Sequence, residues 1–550
     1  MSSGGIALPV SPASVLAALL PILVLLALLM WRGWSTSSAA PVALAVAALV
    51  AVMLFRTPLE TIAVASGKGI WDAIFILYIV WPALILYRVA NGANAFQAIQ
   101  RGVLRLIPDR LMVILVFAWL LTSFIQSIAG FGAPLAVVAP ILLGLGVKPL
   151  HAVLLPIIGG AWANAFGSLG APWLALESVV EVADPTATLR SAVVLVSIAN
   201  LCGGLMIAWL YGGTWALRRG LPAILVISLL HGGLLWLLLP TLLPIAMFIA
   251  CAAGLLAALG LSQLRFYRQE DGDAEPDRIF DRDEPEPSTD AGGAQGERRP
   301  MTLALAFAPY LFLGVIAVVV LTVAPLREVL ETVSVGPPFP ATETGYGIVE
   351  GAVDAYAAFT PLTHPGTFLL LAAGFGYLLF QRDGRYPQGT RVVGLVQRAA
   401  GDALPVTTSV TALMLMSAVM SHSGEIAVLA LGLSAVAGSA AYLASANFIA
   451  MLGSLATSSS TASNVLFGPL QVTGAEAEGV PVPLALAAQV AGGAVGNAIS
   501  PADALLGATT VGDPSLVGGV LRKAVPWAVA TGALISLATL GLYLFAGTGA

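Results

Sequence analysis

From Val10 to the C-terminal region the chain is a succession of apolar runs separated by short polar stretches. Many of these runs reach the roughly 20 residues that a helix needs to cross a bilayer. They recur from end to end, so the whole chain reads as one membrane unit. In hydrocarbon every backbone N–H and C=O must find a partner inside the protein, which leaves only helices and closed barrels. Runs of this length select helices. The balance of 58% hydrophobic to 10% charged residues agrees, since soluble proteins carry about 45–50% and about 25%. The expected fold is an all-α polytopic membrane protein with 12–14 transmembrane helices. The first run, Val10 to Trp31, has no basic segment before it and is expected to stay as a helix.

Two runs are interrupted. Ser123 to Pro134 and Gly453 to Pro469 break an apolar stretch with glycine, proline and small polar residues. At membrane depth such breaks survive only where they are buried in protein or face a watery cavity. Paired interruptions in corresponding halves are a pointer to a transporter's binding site. Each is expected to form an interrupted or re-entrant hairpin, over about 122–147 and 447–472.

The chain also reads as duplicated. Gly159-Gly160-Ala161 with Asn164-Ala165 matches Gly492-Gly493-Ala494 with Asn497-Ala498. Phe131 to Leu135 and Phe467 to Leu470 carry Phe-Gly-(Ala)-Pro-Leu, and Gly-Val pairs follow at Gly146 and Gly479. The competing reading is recurrent small-residue packing of membrane helices. Between the halves, 11 of the 29 acidic residues lie from Glu270 to Glu297, in a stretch without apolar periodicity that cannot repay the entropy of ordering. The expected organisation is a first membrane half over 1–262, an acidic cytoplasmic linker over 263–300 and a second half over 301–550. The net charge of −5 belongs to that linker and implies no nucleic-acid partner.

A helix that stops inside the membrane leaves unpaired N–H groups and partial positive charge at its N-terminus, a ready anion site. Two such ends can hold a carboxylate without a basic side chain. Gly130 and Gly132 mark the first break, and Ser458, Ser459, Ser460, Thr461, Ser463 and Asn464 the second. Gln126, Ser127, Asn164 and Asn497 add amides and a hydroxyl. The alternative is that these hydroxyls only bond to their own helices.

In these same stretches the chain resembles the prokaryotic L-lactate permeases, a family that includes glycolate permeases. The resemblance runs through Ser123-Phe124-Ile125 and Gly130 to Pro134, Gly144 to Leu150, Ala165-Phe166-Gly167, Ser463-Asn464, Leu466-Phe467, Leu470-Gln471, Gly492-Gly493 and Ile499-Ser500-Pro501. It implies a plasma-membrane permease of a prokaryote, importing a 2-hydroxy-monocarboxylate with protons. The chain departs from the family where a glutamate is common at Gln126, an aspartate or asparagine at Ser460 and a lysine at Asn497. Three ionisable positions are neutral here.

The acid best placed to carry a proton is then Asp503, beside the second GGAxxNA stretch. His231 lies within an apolar run and reads either as a proton carrier or as a histidine bonded to its own helix. Asp72 and Asp402 read as helix-start acids, His422 and Glu425 as turn residues. Trp31, Trp34, Trp71, Trp81 and Trp173 read as interfacial anchors, and Cys202 and Cys251 as apolar fillers. The four histidines form no metal-binding spacing and no phosphate-cradling motif occurs. The expectation is therefore a transporter and not an enzyme. No metal or other cofactor is expected; the partners are the bilayer, a small carboxylate and a coupling cation, most simply a proton. Sodium coupling, another small organic anion and a passive anion channel are the alternatives.

Overall fold

The apolar runs fold as helices throughout the computed structural model, which describes residues 8, 10–268, 278–280, 300–344, 346–386, 391–435 and 438–547. Most of the linker expected over 263–300 lies outside the described residues. Among those described, the one sheet is a two-stranded antiparallel hairpin, Thr342–Glu343 with Val349–Glu350. Ten described helices are long and apolar enough to cross a bilayer, against the 12–14 expected. One of them, Pro185–Ser262, loses helical dihedrals at Gly212, Gly213 and Leu242 and so falls into three lengths. A bent pair, Pro149–Asn164 with Gly167–Val179, turns through 49° at its break.

Burial separates inner helices from outer ones. The apolar window of Arg110–Ile128 is 94% buried and that of Val482–Ile499 is 83% buried, whereas that of Pro12–Met30 is only 22% buried. The inner helices pack closely because glycine lets backbones meet. A Cβ on Gly159 would lie 2.2 Å from the Ala118 carbonyl oxygen, and one on Gly492 would lie 2.1 Å from that of Asn447. Ala118 and Asn447 each belong to the helix that leads into an interruption. At Ala118 that helix runs as a π-helix over Val116–Leu121, a distortion frequent at functional sites.

Other landmarks behave alike in the two halves. Gly146 and Gly479 take positive φ, 82° and 63°, and each turn leads through valine to a proline that opens the next helix. The Asn of each GGAxxNA stretch lies in a short 3₁₀ segment, Ala161–Asn164 and Asn497–Ile499. The Phe-Gly-(Ala)-Pro-Leu landmark differs. In the first half it forms the break and the start of the helix Ala133–Gly144, while Phe467 to Leu470 lies inside the helix Ser460–Glu478.

Several single-residue readings change as well. Trp173 is fully buried against Phe166 and is no interfacial anchor. Asp402 lies well inside the helix Val392–Ser423 and accepts both guanidinium arms of Arg88 at 2.6 Å. Asp72 is buried within the helix Leu59–Gly92, away from its start. Cys251 is buried, while Cys202 is only partly so.

Candidate functional site

Four breaks in helical geometry meet at one place. After Thr122–Ile128 the chain extends at Ala129, turns left-handed at Phe131 (φ 54°) and Gly132 (φ 87°), and starts Ala133–Gly144. In the second half Ser458 (φ 57°) ends Ser439–Thr457, and the Ser459 hydroxyl accepts the Ala462 N–H at 3.2 Å to cap Ser460–Glu478. Ser168, Leu169 and Gly170 break Gly167–Val179 with φ of 49°, 51° and 85°. Ser500 accepts the Asp503 N–H at 3.3 Å and starts Pro501–Thr510. Left-handed geometry at a non-glycine residue costs about 1–3 kcal/mol and persists only where surroundings enforce it. Of the seven described residues of this kind, Phe131, Ser168 and Ser458 line a single cavity.

Water centres can occupy about 70 Å³ there. One water needs roughly 10–15 Å³ by that measure, so the cavity suits a few waters or one small organic anion. Gln126, Gly132, Asn164, Ser459, Ser460, Thr461, Asn497 and Asp503 line it, which joins residues from both halves of the chain.

Hydrogen bonds fix this lining across the halves. Gln126 Nε2 donates to Asn164 Oδ1 at 2.6 Å, and the Ser460 hydroxyl donates to the Asn164 carbonyl at 2.8 Å. Asn497 Nδ2 donates to Asp503 Oδ2 at 2.9 Å, and Asn497 Oδ1 is buried with no partner among the described residues. The hydroxyls of Ser500 and Ser458 bond to each other. An orphaned acceptor beside a cavity is the kind of group that a ligand or water satisfies.

Four residues expected at the site stand behind this surface. Ser127 donates to the Phe124 carbonyl at 2.6 Å, and the Gly130 N–H donates to Ser168 Oγ at 3.0 Å. The Ser463 hydroxyl donates to Ala450 O at 2.7 Å, and Asn464 Nδ2 donates to Pro172 O at 2.8 Å. Gln489 donates to Ser463 Oγ at 3.1 Å and to Asn464 Oδ1 at 3.4 Å, tying both to a buried chain that continues through Gln471 to Tyr442. These four brace the broken helices from within.

Thr122 and Ser168 also line the cavity but carried no expectation. Ser168 had a readable signal, because Gly167-Ser168-Leu169-Gly170 interrupts an apolar run as the two recognised breaks do. Thr122 had none, lying in an unbroken run. His231 does not line the cavity; its Nδ1 lies 3.2 Å from Asn200 Nδ2 and its ring stacks on Trp162 at 4.7 Å.

The cavity is close to neutral in its chemistry. Among the lining residues Asp503 is the one ionisable side chain. The first turns of Ala133–Gly144 and Ser460–Glu478 open on it; Pro134 has no N–H, and the Ala133 and Ala462 N–H groups are taken by Gly130 O and Ser459 Oγ, so the first-turn donors left without an intrahelical partner are those of Leu135, Ser460 and Thr461. The walls therefore offer backbone donors, hydroxyls and three carboxamides, which suits an anion that also carries a hydroxyl. Among the described residues no cluster of His, Cys, Asp and Glu could hold a metal ion.

Comparison with known proteins places this geometry in context. A family model described as L-lactate permease matches residues 14–545. An L-lactate permease of Escherichia coli (strain K12) is 26% identical over 511 residues, which is 86% of this chain and 84% of that protein. A glycolate permease of the same strain is 25% identical over 530 residues, 92% of each chain. An L-lactate permease of Streptococcus iniae is 26% identical over 420 residues, 74% of this chain and 78% of that protein.

Proposed function

The chain belongs to the L-lactate permease family, and from that premise we propose that it is a secondary transporter importing L-lactate, or a related 2-hydroxy-monocarboxylate such as glycolate, in symport with protons. It is a multi-pass protein of the plasma membrane. The observation that carries the reading is a cavity of helix ends and neutral amides that holds a single acid, Asp503.

The substrate carboxylate would sit against the N–H groups of Leu135, Ser460 and Thr461 in the first turns of Ala133–Gly144 and Ser460–Glu478, where the helix dipoles favour negative charge. Its hydroxyl would reach the carboxamides of Gln126 and Asn164. Ser127, Gly130, Ser463 and Asn464 would hold the two breaks in register. No lysine or arginine lines the cavity, so no fixed cation balances the substrate's charge.

Asp503 sets the balance through its proton. Two carboxylates at about 5 Å repel by about 3 kcal/mol at an effective dielectric constant near 20, which is roughly 100-fold in affinity. The substrate anion and an ionised Asp503 therefore exclude each other, while a protonated Asp503 admits the anion. By linkage the anion in turn raises the affinity of Asp503 for its proton. A 180° turn of the Asn497 amide would present its orphaned Oδ1 to that proton. Proton and anion thus enter together.

The sign of the pH effect follows. Raising the pH ionises Asp503, so the KM for lactate should rise with pH in the native protein and stay level in Asp503→Asn. In vesicles, labelled L-lactate should accumulate on an inward proton gradient. The Asp503→Asn variant should exchange labelled for unlabelled lactate but fail to accumulate it. Accumulation that follows a sodium gradient, or flux that never becomes concentrative, would sink the symport reading.

A further inference from the structure

A second group of buried ionisable side chains lies apart from the anion cavity and joins the two halves of the chain. Lys68 and Asp72 are spaced one turn apart on the helix Leu59–Gly92, 4% and 3% exposed. His422 lies at the end of Val392–Ser423, and the fully buried Glu425 starts Glu425–Ser434. Glu350 and Tyr356 reach in from the described residues of 333–364, which lie over Leu59–Gly92. That cover is held by Thr61 Oγ1 donating to Glu343 O at 3.2 Å and Trp71 Nε1 donating to Ala357 O at 3.1 Å.

The hydrogen bonds define one protonation pattern. His422 Nδ1 lies 2.8 Å from the Ala418 carbonyl, which can only accept, so Nδ1 carries the ring proton. Nε2 is then an acceptor, and it faces Lys68 Nζ at 3.1 Å. Lys68 Nζ also lies 3.9 Å from Glu350 Oε2 and 5.3 Å from the Tyr356 ring centre. Tyr356 donates its hydroxyl to Asp72 Oδ2 at 3.1 Å. Asp72 Oδ1 is buried and has no partner among the described residues. Glu425 Oε1 accepts from Ser423, and its Oε2 is unpartnered too.

An ionisable residue inside a membrane span is a functional suspect by default, and a carboxylate with one orphaned oxygen is an expensive way to build a helix contact. Asp72 lies about 20 Å along its helix at 1.5 Å per residue and is buried, so it is not a solvated helix-start acid. Glu350, whose side chain is 44% exposed, gives the group a route to water.

We propose that Asp72, framed by Lys68, His422 and Tyr356, is a second proton-binding site, separate from the anion cavity and loaded through Glu350 from the side covered by residues 333–364. A proton from water adds to Oδ1 and makes the carboxyl neutral, leaving the Lys68 ammonium to Glu350. The same proton leaves for water on the other side as the transport cycle turns over. Coupling to the cavity runs through Val392–Ser423, where the Ser417 hydroxyl donates to Val465 O at 2.7 Å, on the helix whose first turn lines the cavity.

This inference rests on the symport reading and adds one proton to it, so uptake of a monovalent anion should move net positive charge inward. In proteoliposomes without a pH gradient, an inside-negative potential should raise the initial rate of lactate uptake severalfold. Asp72→Asn should lose that stimulation and still respond to an inward proton gradient at zero potential. A native protein indifferent to potential, or an Asp72→Asn variant stimulated like the native one, overturns the proposal. Should Asp72→Asn show no uptake at all, Tyr356→Phe decides. Losing a donor to the ionised carboxylate should move the external pH midpoint of potential-driven uptake upward by about half a unit or more, and an unmoved midpoint overturns the proposal. A native protein that ignores the proton gradient itself sinks the symport reading, a result distinct from losing only the response to potential.

Discussion

At the scale of single residues, the cavity depends on atoms that leave no room for additions. Gly130 needs no left-handed backbone, yet a Cβ there would lie 2.6 Å from Ser168 Oγ and 2.8 Å from Gln126 Nε2. Gly130→Ala should therefore push two lining side chains aside, at an overpacking cost of about 1–3 kcal/mol. The expected outcome is uptake of labelled lactate reduced about tenfold or more, since 1.4 kcal/mol is one decade, in protein that still purifies folded. Gln126 offers a sharper test, because its carboxamide lines the cavity. Its Nε2 donates to Asn164 Oδ1, so Gln126→Glu sets a carboxylate against a carbonyl oxygen and adds negative charge beside the anion. The KM for lactate should rise severalfold, more at high pH than at low, and an unchanged KM would place the substrate elsewhere.

At the scale of elements, paired glycines set how closely the inner helices approach. Gly492 and Gly493 are neighbours in the sequence, but a Cβ on Gly492 would meet the Asn447 backbone oxygen at 2.1 Å, and one on Gly493 would find its nearest atoms at 3.5 Å. Backbone cannot step aside as a side chain can, so Gly492→Ala should abolish folded protein or lower its melting temperature by many degrees. Gly493→Ala should be tolerated and keep at least native stability, given the gain of about 0.5–1 kcal/mol for alanine within a helix. Equal melting temperatures for the two variants would contradict this packing. The GGAxxNA pattern was legible in the sequence because close approach demands glycine at fixed spacing. The Phe-Gly-Pro-Leu similarity misled, since Phe467 to Leu470 lies within a helix whose break, at Ser458, is set by earlier residues. Asp72 and Asp402 were misplaced for another reason. Their partners, Tyr356 and Arg88, stand 284 and 314 positions away, and no local pattern announces a pairing at that range.

At the scale of the whole molecule, the membrane class was legible because hydrocarbon permits so few backbone solutions, and both broken spans were legible because they violate that rule. Their convergence was not, since it depends on how inner helices from opposite ends of the chain pack. Gln126 and Asn164 come from one half, Ser460, Asn497 and Asp503 from the other, and the Ser460 to Asn164 bond crosses between them. Neither half can therefore make the cavity alone. A chain cut within the acidic stretch and expressed as two pieces should regain lactate uptake only when both are present. The position of the cut matters, because Lys148 N–H donates to Ile279 O at 2.7 Å and the Ile279 side chain is fully buried. A cut after Pro285 keeps that contact within the first piece, whereas one before Arg278 assigns it to the second. The later cut should give the higher uptake and the more stable complex in detergent. Uptake by the first piece on its own would show that the cavity joining the halves is not the transport site.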